Sequence, residues 1–213
     1  MQPHARPAQP PESGALAPFA PVCGALAEAL REDAFYQAVT IDHAADPALR
    51  HRVLAHYFAL ALDEARAVGE VHVSGADGAA LWLTQEATAS EQALHGERRT
   101  QGLAGLLGPA GFANYGRIAA AMDAQVPGDL QGAWYLSVLG VRPAARGRGL
   151  AQRLLGQTLA RADLAGAACY LETFNPLSLP FYQRLGFARA VQCVEPVSGR
   201  TYWLMAREAA RRS

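Results

Sequence analysis

The stretch between residues 133 and 164 constrains the fold of this chain more than any other. A run of large apolar residues, AWYLSVL, predicts a strand over residues 133–139, and residues 146–164 predict a helix. The turn before the first helical residues carries Gly147 and Gly149 in the run RGRGLA. At such a turn, unpaired backbone N–H groups and the positive end of the helix dipole face the space beyond the strand. Glycine removes side chains that would keep a ligand from the backbone, so the turn suits an anion.

The residues after this helix predict a mixed sheet. Strands are predicted over residues 167–173, 187–194 and 200–206, with a short helix over residues 176–185. A strand, helix, strand succession of this length implies a right-handed crossover between parallel strands. The last two strands form a pair of their own. The fold class is therefore α/β or α+β.

The N-terminal half predicts two helices and a hairpin. One helix begins at Pro21, and a second follows Asp46 and Pro47, an N-cap residue before a proline at the first helical position. Residues 70–73 and 79–83 predict two strands joined by a glycine-containing turn. These elements precede the central strand in the chain.

A long insertion and a proline-rich terminus set the predicted domain limits. Residues 84–128 are rich in alanine and glycine, with helical stretches around residues 86–107 and 113–124. This insertion either carries substrate specificity or simply covers the core, and the sequence supports the two interpretations equally. Residues 1–20 are predicted to form a disordered arm, and residues 21–213 a single domain.

The composition excludes several chemistries. Nineteen basic residues balance nineteen acidic ones, and every basic residue is an arginine. Without lysine the chain has no Walker-type phosphate loop, no pyridoxal Schiff base and no lysine nucleophile. A formal charge of zero argues against nucleic acid and membranes as partners. Because the chain has no apolar run of about 18 residues and its first residues are broken by proline, we expect a cytoplasmic protein.

Cysteine and histidine do not indicate a metal site. Cys23, Cys169 and Cys193 lack CxxC spacing, and the last two lie in strand-like runs, which is typical of core residues. His51 and His56 are five residues apart rather than the four that share a helix face. No metal cofactor is therefore predicted.

Positive charge clusters around the glycine turn. Between residues 130 and 162 the chain has no acidic residue and five arginines, Arg142, Arg146, Arg148, Arg153 and Arg161. Taken alone, this pattern is as typical of a solvated basic helix face as of an anion site. Both interpretations stay open at this point.

A second motif occupies residues 171–187, LETFNPLSLPFYQRLGF. The two motifs together resemble the GNAT acetyltransferase superfamily, whose phosphate loop has the pattern (Q/R)xxGx(G/A) and whose later helix carries a tyrosine before a Leu-Gly-Phe turn. Arg146, Gly149 and Ala151 match the first pattern, and Tyr182 with residues 185–187 matches the second. Within the superfamily, the sequence looks like the branch that includes puromycin N-acetyltransferase.

The resemblance implies a fold and a cofactor. The GNAT fold is a central mixed, mostly antiparallel, twisted sheet flanked by helices, with two parallel strands splayed apart at an acetyl-CoA site. The implied cofactor-binding residues are Leu139, Gly140, Val141, Arg146, Gly147, Arg148, Gly149, Leu150, Ala151, Asn175 and Tyr182. The strand edge would hold the pantetheine arm together with Asn175. The loop backbone would hold the pyrophosphate, with Arg146 and Arg148 available to pair with phosphate oxygens.

The resemblance also implies catalytic roles. Tyr182 would protonate the departing CoA thiolate, because a phenol with a pKa of about 10 carries its proton at pH 7. The alternative for Tyr182 is a packed core aromatic. Glu172 would either accept the proton of the incoming ammonium or make a structural hydrogen bond to a neighbouring loop. Strand N–H groups near Val138 and Leu139 would polarise the thioester carbonyl.

The expected function is transfer of acetyl from acetyl-CoA to the amine of a small molecule by direct attack, by a monomer or a homodimer. O-acetylation, transfer of another acyl group, and a CoA-binding regulatory module without turnover stay open. The sequence departs from the family pattern at Arg142, where an acid is common, and at Phe174, where a small polar residue is usual. The only candidate for an N-terminal strand, residues 15–20, contains Pro18.

Overall fold

The computed structural model describes residues 20–209, and within these residues seven α-helices surround a six-stranded sheet. The helices are α1 Ala20–Leu30, α2 Ala34–Val39, α3 Pro47–Val68, α4 Ala89–Leu106, α5 Pro109–Asp123, α6 Leu150–Ala165 and α7 Leu179–Arg184. The strands are β1 Gly69–Ser74, β2 Gly78–Leu83, β3 Trp134–Val141, β4 Cys169–Thr173, β5 Arg189–Val194 and β6 Thr201–Arg207. Apart from Ala20, which begins α1, the predicted arm and the candidate strand at residues 15–20 lie outside the described residues. That residues 21–213 form one domain stays a prediction.

The sheet has the predicted mixed character. Its strand order is β1-β2-β3-β4-β6-β5, and β3 with β4 form the parallel pair while the other neighbours are antiparallel. Residues 134–136 of β3 pair with residues 169–171 of β4, after which β3 runs on to Val141 and β4 ends at Thr173. The two parallel strands therefore diverge, as the resemblance implied.

A β-bulge lies where this divergence begins. Trp82 of β2 is opposite Leu136, whereas Leu81 is opposite Val138, so Ser137 is an extra residue in β3. A bulge bends its strand and reverses the alternation of side chains between the two faces. Leu136 accordingly packs in the core around α6, and Val138 packs in the core on the opposite face.

Each face of the sheet carries its own core. Helices α1 to α5 cover one face, where Phe58 and Leu62 of α3 are fully buried, and α6 with α7 cover the other, where Leu155 is fully buried. Helix α1 crosses very close to the end of β3. A Cβ atom on Gly140 would lie 2.5 Å from Cδ2 of Leu26, so a side chain at this position would require Leu26 to move. All three cysteines are unpaired and buried, which confirms the prediction of core residues at Cys169 and Cys193.

Several predicted boundaries need correction. Helix α6 begins at Leu150 rather than at residue 146, because Gly147 and Gly149 have φ values of +77° and +68° that end any helical path. The short helix expected over residues 176–185 is divided into a 3-10 turn, Pro176–Ser178, and α7. Helix α2 was not predicted.

The insertion folds into α4 and α5, close to the two predicted helical stretches. Thr88 and Glu91 form a reciprocal capping box at the start of α4. The second helix begins earlier than the predicted residue 113. Pro109 occupies the first turn of α5, where its missing N–H costs nothing. Both helices pack on the N-terminal helical layer, and α4 contacts α3.

Candidate active site

A groove of about 860 Å³ opens where β3 and β4 diverge. The end of β3, the turn between α1 and α2, the segment after β4 and helix α7 all contribute to its lining. Of the predicted cofactor-binding residues, the lining includes Leu139, Gly140, Val141, Arg146, Ala151, Asn175 and Tyr182. The structure thus brings residues from both sequence motifs to one site.

The glycine turn lies at one end of this groove. Gly149 is the N-cap of α6 in a left-handed conformation, and α6 then runs for sixteen residues. The N–H groups of the first helical turn have no partner within the helix, and the positive end of its dipole lies there. Gly147, Arg148, Gly149 and Leu150 are outside the groove's lining. The Leu150 side chain is buried in the α6 core, so only its backbone can face a ligand.

The arginines near the turn differ in what they bind. Arg146 donates from Nε to the carbonyl of Val141 at 3.1 Å and from Nη2 to that of Ala29 at 3.2 Å, which joins β3 to α1. Arg142 forms an ion pair with Glu28.

Farther along α6, Arg161 pairs with Glu70 and Glu86, both distant in sequence. A stretch without acids in the sequence is therefore partly neutralised by acids from α1, β1 and the segment after β2. Arg146 and the exposed Arg148 remain at the turn itself.

Asn175 stabilises the turn that follows β4. Its Oδ1 accepts a hydrogen bond from the Leu177 N–H at 3.1 Å, and its own N–H donates to Oγ1 of Thr173 at 3.2 Å. The residue is exposed and lines the groove. The structure thus gives Asn175 a local structural role as well as a position at the site.

Tyr182 lies between the groove and a second cavity. It is 8% exposed, and its ring packs edge-on against Phe181 and Phe187, with centroid distances of 5.2 and 6.0 Å. Burial, together with the charge of Asp33, raises the pKa of Tyr182 above its ordinary value. The phenol therefore keeps its proton at neutral pH. Tyr182 is therefore a packed aromatic that also lines both spaces, and its role as a general acid stays a prediction.

The second cavity has a volume of about 350 Å³ and adjoins the groove. The two share the lining residues Leu30, Asp33, Leu139, Thr173, Phe174 and Tyr182. Glu172 lines only the second cavity, where its Oε2 accepts a hydrogen bond from the Tyr135 hydroxyl at 2.7 Å. Burial and the charge of Asp123 raise the pKa of Glu172, although the hydrogen bond from Tyr135 lowers it. Its partner is on a neighbouring strand rather than on a loop.

Asp33 is a site residue that the sequence analysis missed. It lines both the groove and the cavity, and it is the N-cap of α2, accepting a hydrogen bond from the Phe35 N–H at 2.9 Å. Burial raises its pKa to about 6, against the lowering effect of the backbone N–H groups of Phe35 and Tyr36. An aspartate just before the run AFYQAV is a helix-start signal. The sequence could therefore have predicted the N-cap, but not that Asp33 lines the site.

Comparison with known proteins identifies the family. Residues 25–187 match the Acetyltransferase (GNAT) family, which is more than half of the chain. The chain belongs to this family. The acetyltransferase resemblance and the fold it implied are therefore confirmed. Assignment to a branch that includes puromycin N-acetyltransferase stays a prediction.

Solved structures support the fold assignment for this GNAT acetyltransferase. The fold is similar to that of a protein from Corynebacterium glutamicum described as histone acetyltransferase HPA2 and related acetyltransferase. That similarity has a TM-score of 0.59, covers 95% of this chain and 96% of the other, and has 22% identity. Arylalkylamine N-acetyltransferase 2 from Aedes aegypti has a TM-score of 0.54 over 92% and 97% of the two chains, with 13% identity. At these identities the similarity establishes the fold alone.

A curated relative matches a shorter region. The uncharacterized protein ML0378 of Mycobacterium leprae is 43% identical over 76 residues, which cover 33% of this chain. The chain spans only 20% of that relative's length.

Within residues 20–209, no helix is long and apolar enough to cross a membrane. The same residues contain no group of three or more His, Cys, Asp or Glu side chains placed to hold a metal ion.

Proposed function

We propose that this acetyltransferase transfers acetyl from acetyl-CoA to the primary amine of a small molecule, with the cofactor in the groove and the acceptor in the cavity. The observation that carries this proposal is the junction of the two spaces at Tyr182. The groove leads to the glycine turn, and the adjoining cavity has a volume of about 350 Å³, a size suited to a small ligand. The third cavity, of about 310 Å³, lies elsewhere, beside α1 and Arg142.

The cofactor would be held largely by backbone groups. The pyrophosphate would accept hydrogen bonds from the N–H groups of the 146–151 loop, where Gly147 and Gly149 leave the backbone accessible. Arg146 and Arg148 would add charge-assisted contacts. The pantetheine arm would lie along Leu139, Gly140 and Val141 and reach Asn175. The ends of this arm are therefore set by two parts of the chain, β3 and the turn after β4.

The chemistry would proceed by direct attack. The neutral amine nitrogen adds to the thioester carbonyl carbon, the tetrahedral intermediate expels the CoA thiolate, and the C–S bond breaks as the amide forms. Tyr182 would donate its proton to the thiolate and would regain one from the nitrogen as the amide forms. Backbone N–H groups of β3 beside the bulge, near Val138 and Leu139, would stabilise the oxyanion. The buried Tyr182 phenol holds its proton at neutral pH, as a general acid must before the step, while its raised pKa makes it a weaker proton donor.

Glu172 is the proposed acceptor for the proton that the incoming ammonium loses. Its carboxylate faces the cavity, and its raised pKa favours proton uptake. The hydrogen bond from Tyr135 holds the carboxylate in position, which joins the two roles that the sequence left as alternatives. The cytoplasmic location and the state of monomer or homodimer stay predictions.

Two measurements on the purified full chain test the proposed function. Calorimetric titration with acetyl-CoA should give saturable binding. Release of the CoA thiol should then follow addition of an acceptor from a panel of aminonucleosides, aminoglycosides, polyamines, aryl amines and amino acids. Absence of acetyl-CoA binding would contradict the proposal. Binding with no transfer to any amine would favour a CoA-binding regulatory module, and an ester product would favour O-acetylation.

A further inference from the structure

Aromatic rings line the 350 Å³ cavity from two directions. One wall comes from the helical layer and the other from the sheet and the segment after it. The helical wall is formed by Phe35, Tyr36, Tyr57 and Tyr115, and the sheet wall by Tyr135, Tyr170 and Phe174. A cavity bounded by rings on both sides offers large apolar contact area to a ligand while keeping its polar groups at the edges.

The rings of each wall are held by contacts among themselves. Tyr135 and Tyr170 stack with a centroid distance of 4.7 Å and an interplanar angle of 23°. Phe35 meets Tyr57 and Tyr115 edge-on at 6.3 and 6.4 Å. The walls are therefore fixed in shape before a ligand enters, and a ligand ring of complementary orientation gains contacts without reordering them.

Tyr57 is also held by a buried charge. Its hydroxyl accepts a hydrogen bond from Nη2 of Arg99 at 2.9 Å, and Arg99 donates from Nη1 to Glu64 at 2.8 Å. Arg99 is the one basic residue among the described residues that line this cavity, and Glu64 balances its charge.

The acidic residues of the lining are not balanced in this way. Asp33, Asp123 and Glu172 all line the cavity. The lining is therefore both aromatic and acidic, which suits a cation with an apolar body. Among the three carboxyl groups, Asp33 alone lies at the junction with the groove, beside Tyr182.

We propose that the acceptor is a primary amine carried on an aromatic ring, with its ammonium paired to Asp33 and its ring between the two aromatic walls. This inference rests on the proposed function, because it assigns the cavity to the acceptor. Pairing at Asp33 places the nitrogen at the opening to the groove, where the thioester would be. A linear polyamine would leave the two aromatic walls without a matching surface.

A ligand series tests the ring. Calorimetric titrations with 2-phenylethylamine, 2-cyclohexylethylamine, 1-aminobutane and spermidine are run on the CoA-loaded and on the unloaded protein. We expect 2-phenylethylamine to bind about tenfold or more tightly than 1-aminobutane, because it buries a whole additional ring. It should also bind about threefold or more tightly than the cyclohexyl compound, because only the flat ring makes aromatic contacts. Equal affinities across the series, tighter binding of spermidine, or no binding of any amine would overturn the inference.

A matched pair of variants tests the ammonium contact. Asp33→Asn keeps an N-cap side chain, and Asp46→Asn makes the same change at the N-cap of α3, outside the cavity. We expect Asp33→Asn to weaken 2-phenylethylamine binding by about tenfold or more, because a charge-assisted hydrogen bond is lost. Binding of the neutral 2-phenylethanol by Asp33→Asn should change by less than about twofold. Binding of 2-phenylethylamine by Asp46→Asn should likewise change by less than about twofold. Equal weakening of the amine and the alcohol would contradict the ammonium contact.

A second pair tests the walls. Tyr115→Leu removes a ring that lines the cavity, whereas Phe112→Leu removes its stacked neighbour, which does not line it. Only Tyr115→Leu should reduce the preference for the phenyl over the cyclohexyl compound. An unchanged preference in Tyr115→Leu would contradict the assignment of that wall.

Acetyl-CoA titration accompanies every sample. Loss of ring selectivity with intact acetyl-CoA binding contradicts only the aromatic acceptor, whereas failure to bind acetyl-CoA contradicts the proposed function.

Discussion

The groove and the cavity meet at Tyr182, yet they are built in different ways. The groove's predicted contacts come from two short segments, residues 139–151 and 173–182, and many of them are backbone groups exposed by glycine or by diverging strands. The cavity is built from side chains of α2, α3, α4, α5, β3 and β4. A site made from local backbone geometry is visible as a motif. A site made from converging side chains is not.

The turn between α1 and α2 connects the two sites. Leu30 and Asp33 line both, and Arg146 holds the end of α1 against the end of β3 through the Ala29 carbonyl. In the proposed function, recognition of the cofactor and of the acceptor would share this short segment, and substitutions can separate their contributions.

Replacement of Tyr182 by phenylalanine should give the largest effect on turnover. We expect kcat to fall by about 10²-fold or more, because the leaving thiolate loses its proton donor. Acetyl-CoA affinity, measured by calorimetry, should change by less than about twofold. Thiol release with an accepted amine gives kcat, and an unchanged kcat would remove Tyr182 from the mechanism.

Arg99→Met should act on the cavity side of the molecule. We expect the free energy of unfolding to fall by about 3–5 kcal/mol, because Glu64 would be left as a buried carboxylate without its partner. The neighbouring Arg98 is exposed, so Arg98→Met is the matched control and should change stability by less than about 0.5 kcal/mol. Urea unfolding measures both variants. Equal losses in the two would show that the ion pair does not hold this wall.

Asp33→Asn should gain stability relative to the parent protein as pH rises to neutral and alkaline values. The same variant should bind the amine more weakly. The folded-state pKa of about 6 lies above the ordinary value of 3.8, so between these values the folded protein binds more protons than the unfolded chain. The contribution of Asp33 to the free energy of unfolding therefore falls as pH rises through this window.

The asparagine variant lacks this decline. The free energy of unfolding of the variant minus that of the parent protein should increase between pH 3.5 and pH 8, by at most about 3 kcal/mol. Chemical unfolding of both proteins at a series of pH values measures the difference. Parallel pH dependence in the two proteins would contradict the raised pKa.

Gly149→Ala should give the smallest effect, on the groove side. Gly149 and Gly166 lie at opposite ends of α6 and have nearly equal φ values of +68° and +67°. Gly166→Ala is therefore the matched control. Each substitution should cost about 1–2 kcal/mol of stability through left-handed strain. Only Gly149→Ala should weaken acetyl-CoA binding, by about tenfold, because its methyl group stands between phosphate and backbone. Equal acetyl-CoA affinities in the two variants would show that the phosphates do not approach this residue.

The predictability of the site follows the same division. Gly149, Ala151 and Tyr182 were recognisable because a turn before a helix and an aromatic motif at fixed spacing are local patterns. Leu150 was predicted as a backbone contact, and this stays a prediction because the core holds only its side chain. Asp33 was missed because an N-cap aspartate has the same sequence signature wherever its helix lies.

The sequence by itself determined the order of the main helices and strands, the mixed sheet, the glycine turn and the family of this protein. These properties depend on periodicity, caps and backbone freedom over a few neighbouring residues. Only the tertiary structure decided that acids distant in sequence neutralise Arg142 and Arg161, that a bulge at Ser137 reverses the faces of β3, and that aromatic rings from separate elements surround one cavity. Such contacts depend on how elements far apart in the chain pack, and no local pattern specifies that packing.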